Sequence, residues 1–310
     1  MLEETEVKML PNFFIIGAAR SGTTSLDRYL SQHPEIFITS RKDAHFFATE
    51  HFPCSGPGDE VMNRKVMRDK AEYAQLFVGV TGEKAIGESS AFYLCLPGTA
   101  ERIAQAAAEA KVIVLLREPA DRAYSAYMLL VRDGRESLSF EEGLSQEAER
   151  RQKGWEPMWW YKELGLYASQ VKRYLEVFGR ERVKVLLYEE FYTNPELALR
   201  DVFAFLGVRE DVVINTSVRY NVAGMPKSRR LHTLLYKLID NPNSLAKRVK
   251  PALAWKAMGR FLLRPVPKMN PQTYVQLKAY FAEDVAKLQD LLGQDLRCWK
   301  YREPSIAQKL

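Results

Sequence analysis

Two rhythms of apolar and polar positions alternate along the chain. Short apolar runs occur at Asn12–Ile16, Glu35–Ile38, Ala85–Ser89, Lys111–Leu116 and Arg182–Leu187, with KVIVLL at Lys111–Leu116 the clearest. Runs of this length, without the polar alternation of a half-solvated strand, fit parallel strands buried on both faces. Between them lie stretches with helical spacing: Thr23–Ser31, about 71–77, Ala100–Ala110, Ala120–Val131 with Pro119 at an early helical position, Leu166–Phe178, Asn194–Leu206 closed by Gly207, and Asn270–Leu292 ending near Gly293. Gly134–Gly154 is charged and mostly helical in pattern, and Pro53–Lys70 reads as a surface loop. Strands alternating with helices predict an α/β fold, a P-loop-type parallel sheet flanked by helices in a single domain. That domain is expected over 11–302, after a charged leader at 1–10 and before a tail at 303–310.

The first strand, turn and helix carry the densest chemistry. Within PNFFIIGAARSGTTSLDRYLSQHP (Pro11–Pro34), Gly17–Gly22 is a tight turn of small residues between strand and helix. A helix N-terminus offers unpaired N–H groups and partial positive charge to an anion, and glycine lets the backbone curl close to it. Arg20 adds a fork-shaped cation inside the turn, and Thr23, Thr24 and Ser25 add hydroxyls. An ordinary turn with a solvated arginine is the plain alternative. A nucleoside-triphosphatase loop would carry Lys after the second glycine, where Thr23 stands. The cation sits mid-loop instead, which suits an anion held without metal.

Further along, Arg117 follows the Lys111–Leu116 strand, at the strand end where open parallel sheets bind ligands. Ser125 lies just over a turn into the next helix, so both can converge on one phosphate; a salt-bridged helix start is the competing reading of REPADRAYS. Asp43 and His45 stand two apart on one side of an extended segment. Asp43 there is either a general base for a hydroxyl or the N-cap of a short helix. Ala85–Ser89 carries Glu88 inward. Trp155, Trp159, Trp160 and Tyr161 form either a packing patch or the floor of an acceptor site.

Composition narrows the class. With 310 residues, 46% hydrophobic and 27% charged, the chain is globular. It has no run of eighteen apolar residues and no secretory-type leader, so a soluble cytoplasmic protein is expected. Cys54, Cys95 and Cys298 form neither a disulfide framework nor a zinc pattern, and no metal site is expected. A net charge of +6 favours an anionic ligand or surface. The stretch 241–269 is rich in Lys and Arg, lacks acids and interleaves Trp255 and Phe261–Leu263. It reads as a basic lid-like insertion (240–270), a docking face for an acidic carrier protein, a membrane-surface helix, or a solvated face over an apolar underside.

Taken together, GAARSGTTSL (Gly17–Leu26) with its helix to His33 and Pro34, KVIVLLREPADRAYSAY (Lys111–Tyr127), LYEEFYTNP followed by a helix and FLGV, and the C-terminal NPQTYVQLKAYFAEDVAKLQDLLGQDLRCW resemble a PAPS-dependent sulfotransferase of the heparan-sulfate and bacterial type, over roughly residues 11–300. The resemblance implies PAPS (3′-phosphoadenosine 5′-phosphosulfate) as co-substrate, with Arg20, Ser21, Gly22, Thr23, Thr24 and Ser25 around its 5′-phosphosulfate. It implies Arg117 and Ser125 at the 3′-phosphate; the family's late phosphate-gripping loop does not align cleanly, and Lys227, Arg229 and Arg230 in MPKSRR are the candidates for it, with Arg260 and Arg264 as rivals. Arg20, where many members have Lys, would stabilise the leaving phosphate. Asp43 takes the position of the family's catalytic Glu, with His45 as the rival base. Glu88 takes a supporting role that is open, because Ser89 stands where relatives often carry Lys. The reaction implied is in-line sulfuryl transfer to a hydroxyl or amine of a glycan, lipid or small molecule, without nucleic acid as partner. A P-loop kinase or triphosphatase, and a non-catalytic polyanion-binding module, are the alternatives from other classes.

Overall fold

The computed structural model describes residues 11–218, 220, 225–226 and 263–299. The leader at 1–10, Lys227, Arg229, Arg230, Arg260, the side chain of Arg264 and the basic stretch as far as 262 lie outside the described residues.

Five parallel strands form one sheet: β1 (Phe13–Gly17), β2 (Ile36–Ile38), β3 (Ala85–Ser89), β4 (Lys111–Leu116) and β5 (Val183–Leu187), in the order β2-β3-β1-β4-β5. The unbroken apolar runs are explained by two-sided burial. Phe14 and Ile16 of β1, with Val112, Val114 and Leu116 of β4, face one core; Phe13, Ile15, Ile113 and Leu115 face the other. All nine side chains are completely buried. Against the first face lie α4 (Thr99–Ala106) and α7 (Tyr167–Phe178); against the second lie α1 (Thr23–Leu30) and α9 (Pro195–Leu206). A third cluster joins α5 (Pro119–Arg132), α6 (Phe140–Gln152) and the C-terminal helix α10 (Pro271–Leu292).

Helix ends follow local chemistry. Ser139 and Glu142 form a capping box on α6, and Asn194 and Asn270 cap α9 and α10 ahead of a proline at the first helical position. The helix expected to Ala110 stops at Ala106, because Ala107 turns to φ −145° and a tight turn then feeds β4. The loop after Pro53 holds the short helices α2 (Glu60–Asn63) and α3 (Lys70–Gln75), and LYEEFYT forms α8 (Tyr188–Thr193) between β5 and α9. Met225–Pro226 (β6) pairs antiparallel with Leu263–Arg264 (β7).

The tryptophan-rich segment is a packing patch. Trp159 is buried, its indole N–H donates to Asp59 at 3.1 Å, and the guanidinium of Arg150 lies 4.8 Å from its ring centre. None of Cys54, Cys95 and Cys298 is in a disulfide. Among the described residues, no helix is long and apolar enough to cross a membrane.

Candidate active site at the carboxyl ends of the sheet

The turn after β1 is held by its neighbours before any ligand is considered. Ala18 N–H donates to Leu115 O of β4 at 2.8 Å, and Leu94 N–H donates to Ile16 O at 2.9 Å. Gly22 caps α1 at φ 93°, and a Cβ there would meet the rings of Tyr192 and Tyr188 at 3.2–3.3 Å. Only glycine satisfies both conditions. No side chain caps the N-terminus of α1. Ser21 is fully buried and its hydroxyl has no hydrogen-bond partner.

Among the described residues three that are not glycine adopt positive φ: Arg20 (71°), Asp43 (61°) and His45 (48°). These are three of the four residues that the sequence nominates for chemistry. Each such conformation costs on the order of 1–3 kcal/mol and persists only where surrounding contacts over-determine it.

For Arg20 those contacts come from β4 and α5. Its Nε donates to Ser125 Oγ at 3.2 Å, and Arg117 Nη1 donates to its carbonyl at 3.4 Å. Arg117 also lies over the Tyr188 ring, 4.6 Å from its centre. Burial, then repulsion from Arg132 and Arg117, lowers the Arg20 pKa to about 10, so it is still a cation at neutral pH. Arg20, Arg117 and Ser125 are therefore joined by hydrogen bonds into one connected cluster. Ser25 faces the other way, accepting from Tyr192 OH at 2.7 Å and from Tyr220 N–H at 3.3 Å. Thr23 is buried and Thr24 half-buried in the first turn of α1.

A second layer fixes Arg117 and Tyr188. Glu118 caps α5 by accepting from Asp121 N–H at 2.7 Å, and its own N–H donates to Glu189 at 3.1 Å. Lys278 of α10 reaches Glu118 at 3.2 Å, and the indole of Trp299 donates to Glu189 at 2.7 Å. Sequence reasoning missed this layer; its signal was LYEEFY, where Glu189, directly after Tyr188, carried no assigned role.

Across the end of β3 lie Asp43, Glu88 and His45. Asp43 is not a helix cap: the short 3-10 helix Phe46–His51 starts after His45, and Asp43 Oδ1 instead accepts from Ala91 N–H at 3.2 Å. Asp43 N–H donates to Ser89 O at 2.8 Å. Burial opposes the charge on Asp43, but Lys42, His45 and Lys65 outweigh it, and its pKa falls below the ordinary carboxylate value. Glu88 is buried, accepting from Ser90 and, at 3.4 Å, from Tyr73 OH. Burial, with Asp43 adding to it, pushes Glu88 up to about 7 against the hydrogen bonds from Ser90 and Tyr93. Ser89 does not stand alone where relatives carry Lys, because Lys42 Nζ donates to its hydroxyl at 2.6 Å.

His45 is completely buried between the rings of Phe92 (5.2 Å) and Phe52 (5.5 Å), and neither ring nitrogen has a hydrogen-bond partner. Burial lowers its pKa to about 4, so the ring is neutral in the native state. A histidine whose folded pKa lies below its unfolded 6.5 contributes stability above pH 6.5 that is lost as pH falls towards 4. His45→Phe keeps the stacking and removes this proton uptake. Chemical denaturation of the variant at pH 7 and pH 4.5 should therefore show a smaller acid loss than the wild type, by up to about 3 kcal/mol.

Comparisons with known proteins bear on the family and the fold. A model described as the sulfotransferase family matches residues 11–211. The crystal structure of a sulfotransferase from Alicyclobacillus acidocaldarius superposes with a TM-score of 0.77 at 46% identity, covering 94% of this chain and 99% of that one. A membrane-associated sulfotransferase of Dictyostelium discoideum is 36% identical over 124 residues, which are 40% of this chain and 24% of that protein. The bifunctional heparan sulfate N-deacetylase/N-sulfotransferase 3 of Mus musculus is 25% identical over 314 residues, 97% of this chain and 32% of that protein. The chain thus spans between about a quarter and a third of the length of these two curated relatives.

Proposed function

The chain belongs to the sulfotransferase family, and from that premise we propose that it moves a sulfuryl group from PAPS to an acceptor hydroxyl or amine. The observation that carries the reading is the Arg20, Arg117 and Ser125 cluster at the ends of β1 and β4. Two guanidinium groups and a hydroxyl, beside an uncapped helix N-terminus and the unpartnered hydroxyl of Ser21, are a donor set for a doubly phosphorylated nucleotide. PAPS supplies the activated sulfuryl group and a leaving phosphate. Arg20 stabilises the negative charge that grows on that phosphate, and Arg117 with Ser125 holds the 3′-phosphate. Asp43 takes the acceptor proton. It is the ionised carboxyl of the site and its side chain is 22% exposed, whereas the ring of His45 is sealed between phenylalanines. Glycans are the first acceptor class to screen, since heparan sulfate is what the mouse relative is named for.

Titration calorimetry with PAP, the 3′-phosphorylated product nucleotide, and with adenosine 5′-phosphate tests the nucleotide half of the reading. Wild-type protein should bind PAP and lose most of that affinity without the 3′-phosphate. Arg117→Ala should weaken PAP binding by about 2–3 kcal/mol, roughly 30- to 150-fold, and leave the adenosine 5′-phosphate affinity nearly unchanged. Equal binding of both nucleotides by the wild type would favour a triphosphatase-like site instead.

A further inference from the structure

Residues 42–45 are laid along residues 89–91 by four contacts. Lys42 Nζ donates to Ser89 Oγ (2.6 Å), Asp43 N–H to Ser89 O (2.8 Å), Ala91 N–H to Asp43 Oδ1 (3.2 Å) and His45 N–H to Ser90 Oγ (3.1 Å). This zipper brings three carboxyl groups into mutual influence: Asp43 itself, Glu88 on β3 and Asp27 on α1. Asp27 is buried, and its Oδ2 has no hydrogen-bond partner. The cation common to all three is Lys42, whose ammonium nitrogen stands 3.9 Å from Asp43 Oδ1 and is itself only 20% exposed.

We propose that Lys42, anchored on the hydroxyl of Ser89, is the positioning residue that keeps Asp43 ionised and fixed in direction, so that one of three neighbouring carboxyl groups is selected as proton acceptor. The proposal rests on the reading of Asp43 as the base. Three carboxyl groups that repel one another's charge cannot all ionise cheaply, so protons go where compensation is poorest. Glu88 and Asp27, desolvated by burial, are both shifted upward, while Asp43 is shifted downward. The other groups facing Asp43 do not make that selection. His45, whose ring charges only near pH 4, and Lys65, exposed after α2, exert weaker pulls than Lys42, while Asp27 and Glu88, each pushed up by Asp43, oppose ionisation. Ser89 matters because it turns a flexible four-carbon stem into a fixed charge.

The test is a carbon-13 NMR titration of aspartate-labelled protein, with the Asp43 carboxyl signal assigned by its disappearance in Asp43→Asn. In Lys42→Met the Asp43 midpoint should rise by about one pH unit, with PAP affinity unchanged. Lys42→Arg should restore most of the difference, and Ser89→Ala should move the midpoint the same way by less. An unmoved midpoint in Lys42→Met overturns the proposal; if that variant does not fold, an unmoved midpoint in Ser89→Ala does so. The titration is separable from the reaction. A raised midpoint alongside a fully active Asp43→Asn variant would keep the pairing and remove the base assignment.

Discussion

Replacing Arg20 with Ala is expected to lower kcat by about 10²–10³-fold, the loss measured when one preorganised donor to a developing oxyanion is removed. The reason lies in how the residue is held. The backbone is held left-handed at φ 71°, and Ser125 receives the Arg20 Nε at 3.2 Å. Such a guanidinium pays no reorganisation when charge grows on the leaving phosphate. Repulsion from Arg117 and Arg132 is only partly offset by Asp133 and Tyr188, so an anion bound here gains from the remaining positive charge. Steady-state transfer of radiolabelled sulfuryl from PAPS, with PAP affinity measured in parallel, separates the two effects: kcat should fall much further than PAP binding. Arg20→Lys should recover part of the rate, since a compact ammonium restores charge but not the fork. A kcat unchanged in Arg20→Ala would remove the residue from the chemistry.

Asp43→Asn is expected to cost about 10²–10⁴-fold in kcat while leaving PAP affinity intact, the range set by loss of a positioned general base. Asparagine keeps the volume and can still accept from Ala91 N–H, so a large rate loss would report proton transfer rather than collapse of the segment. Asp43→Glu should retain more activity than Asp43→Asn, because it keeps a carboxylate in the position where relatives of this type carry one. The pH dependence has a definite sign. A carboxylate whose folded pKa is depressed adds stability above its unfolded pKa, lost only as pH falls through the folded value. Activity that declines between pH 7 and 5 would therefore not be reporting Asp43.

Most of the fold was legible because burial on both faces writes itself as unbroken apolar runs: FFIIG and KVIVLL could be central parallel strands and little else. The strand, tight turn and helix at Phe13–Leu30 were equally legible, since glycine spacing and a helix start are local signals. What could not be read were contacts across large separations. Nothing in the sequence says that Arg20 meets Ser125, 105 positions away, or that Lys42 meets Ser89, 47 positions away. Spacing placed Asp43 and His45 together as equals; the structure separates them because Phe52 and Phe92 close over one ring and not over the other side chain. Ser25, grouped with the loop hydroxyls by proximity in sequence, turns on α1 towards Tyr192.

The hydrogen bond from Trp299 to Glu189 bears on how the protein is made. Glu189 holds the N–H of Glu118, directly after Arg117, and sits directly after Tyr188, so the wall beside Arg117 is finished by an indole 110 positions further along. During synthesis the sheet, loop and first helices leave the ribosome before that indole, and N-terminal elements fold first. The nascent chain therefore carries the turn after β1 before the brace on Arg117 and Tyr188 has docked.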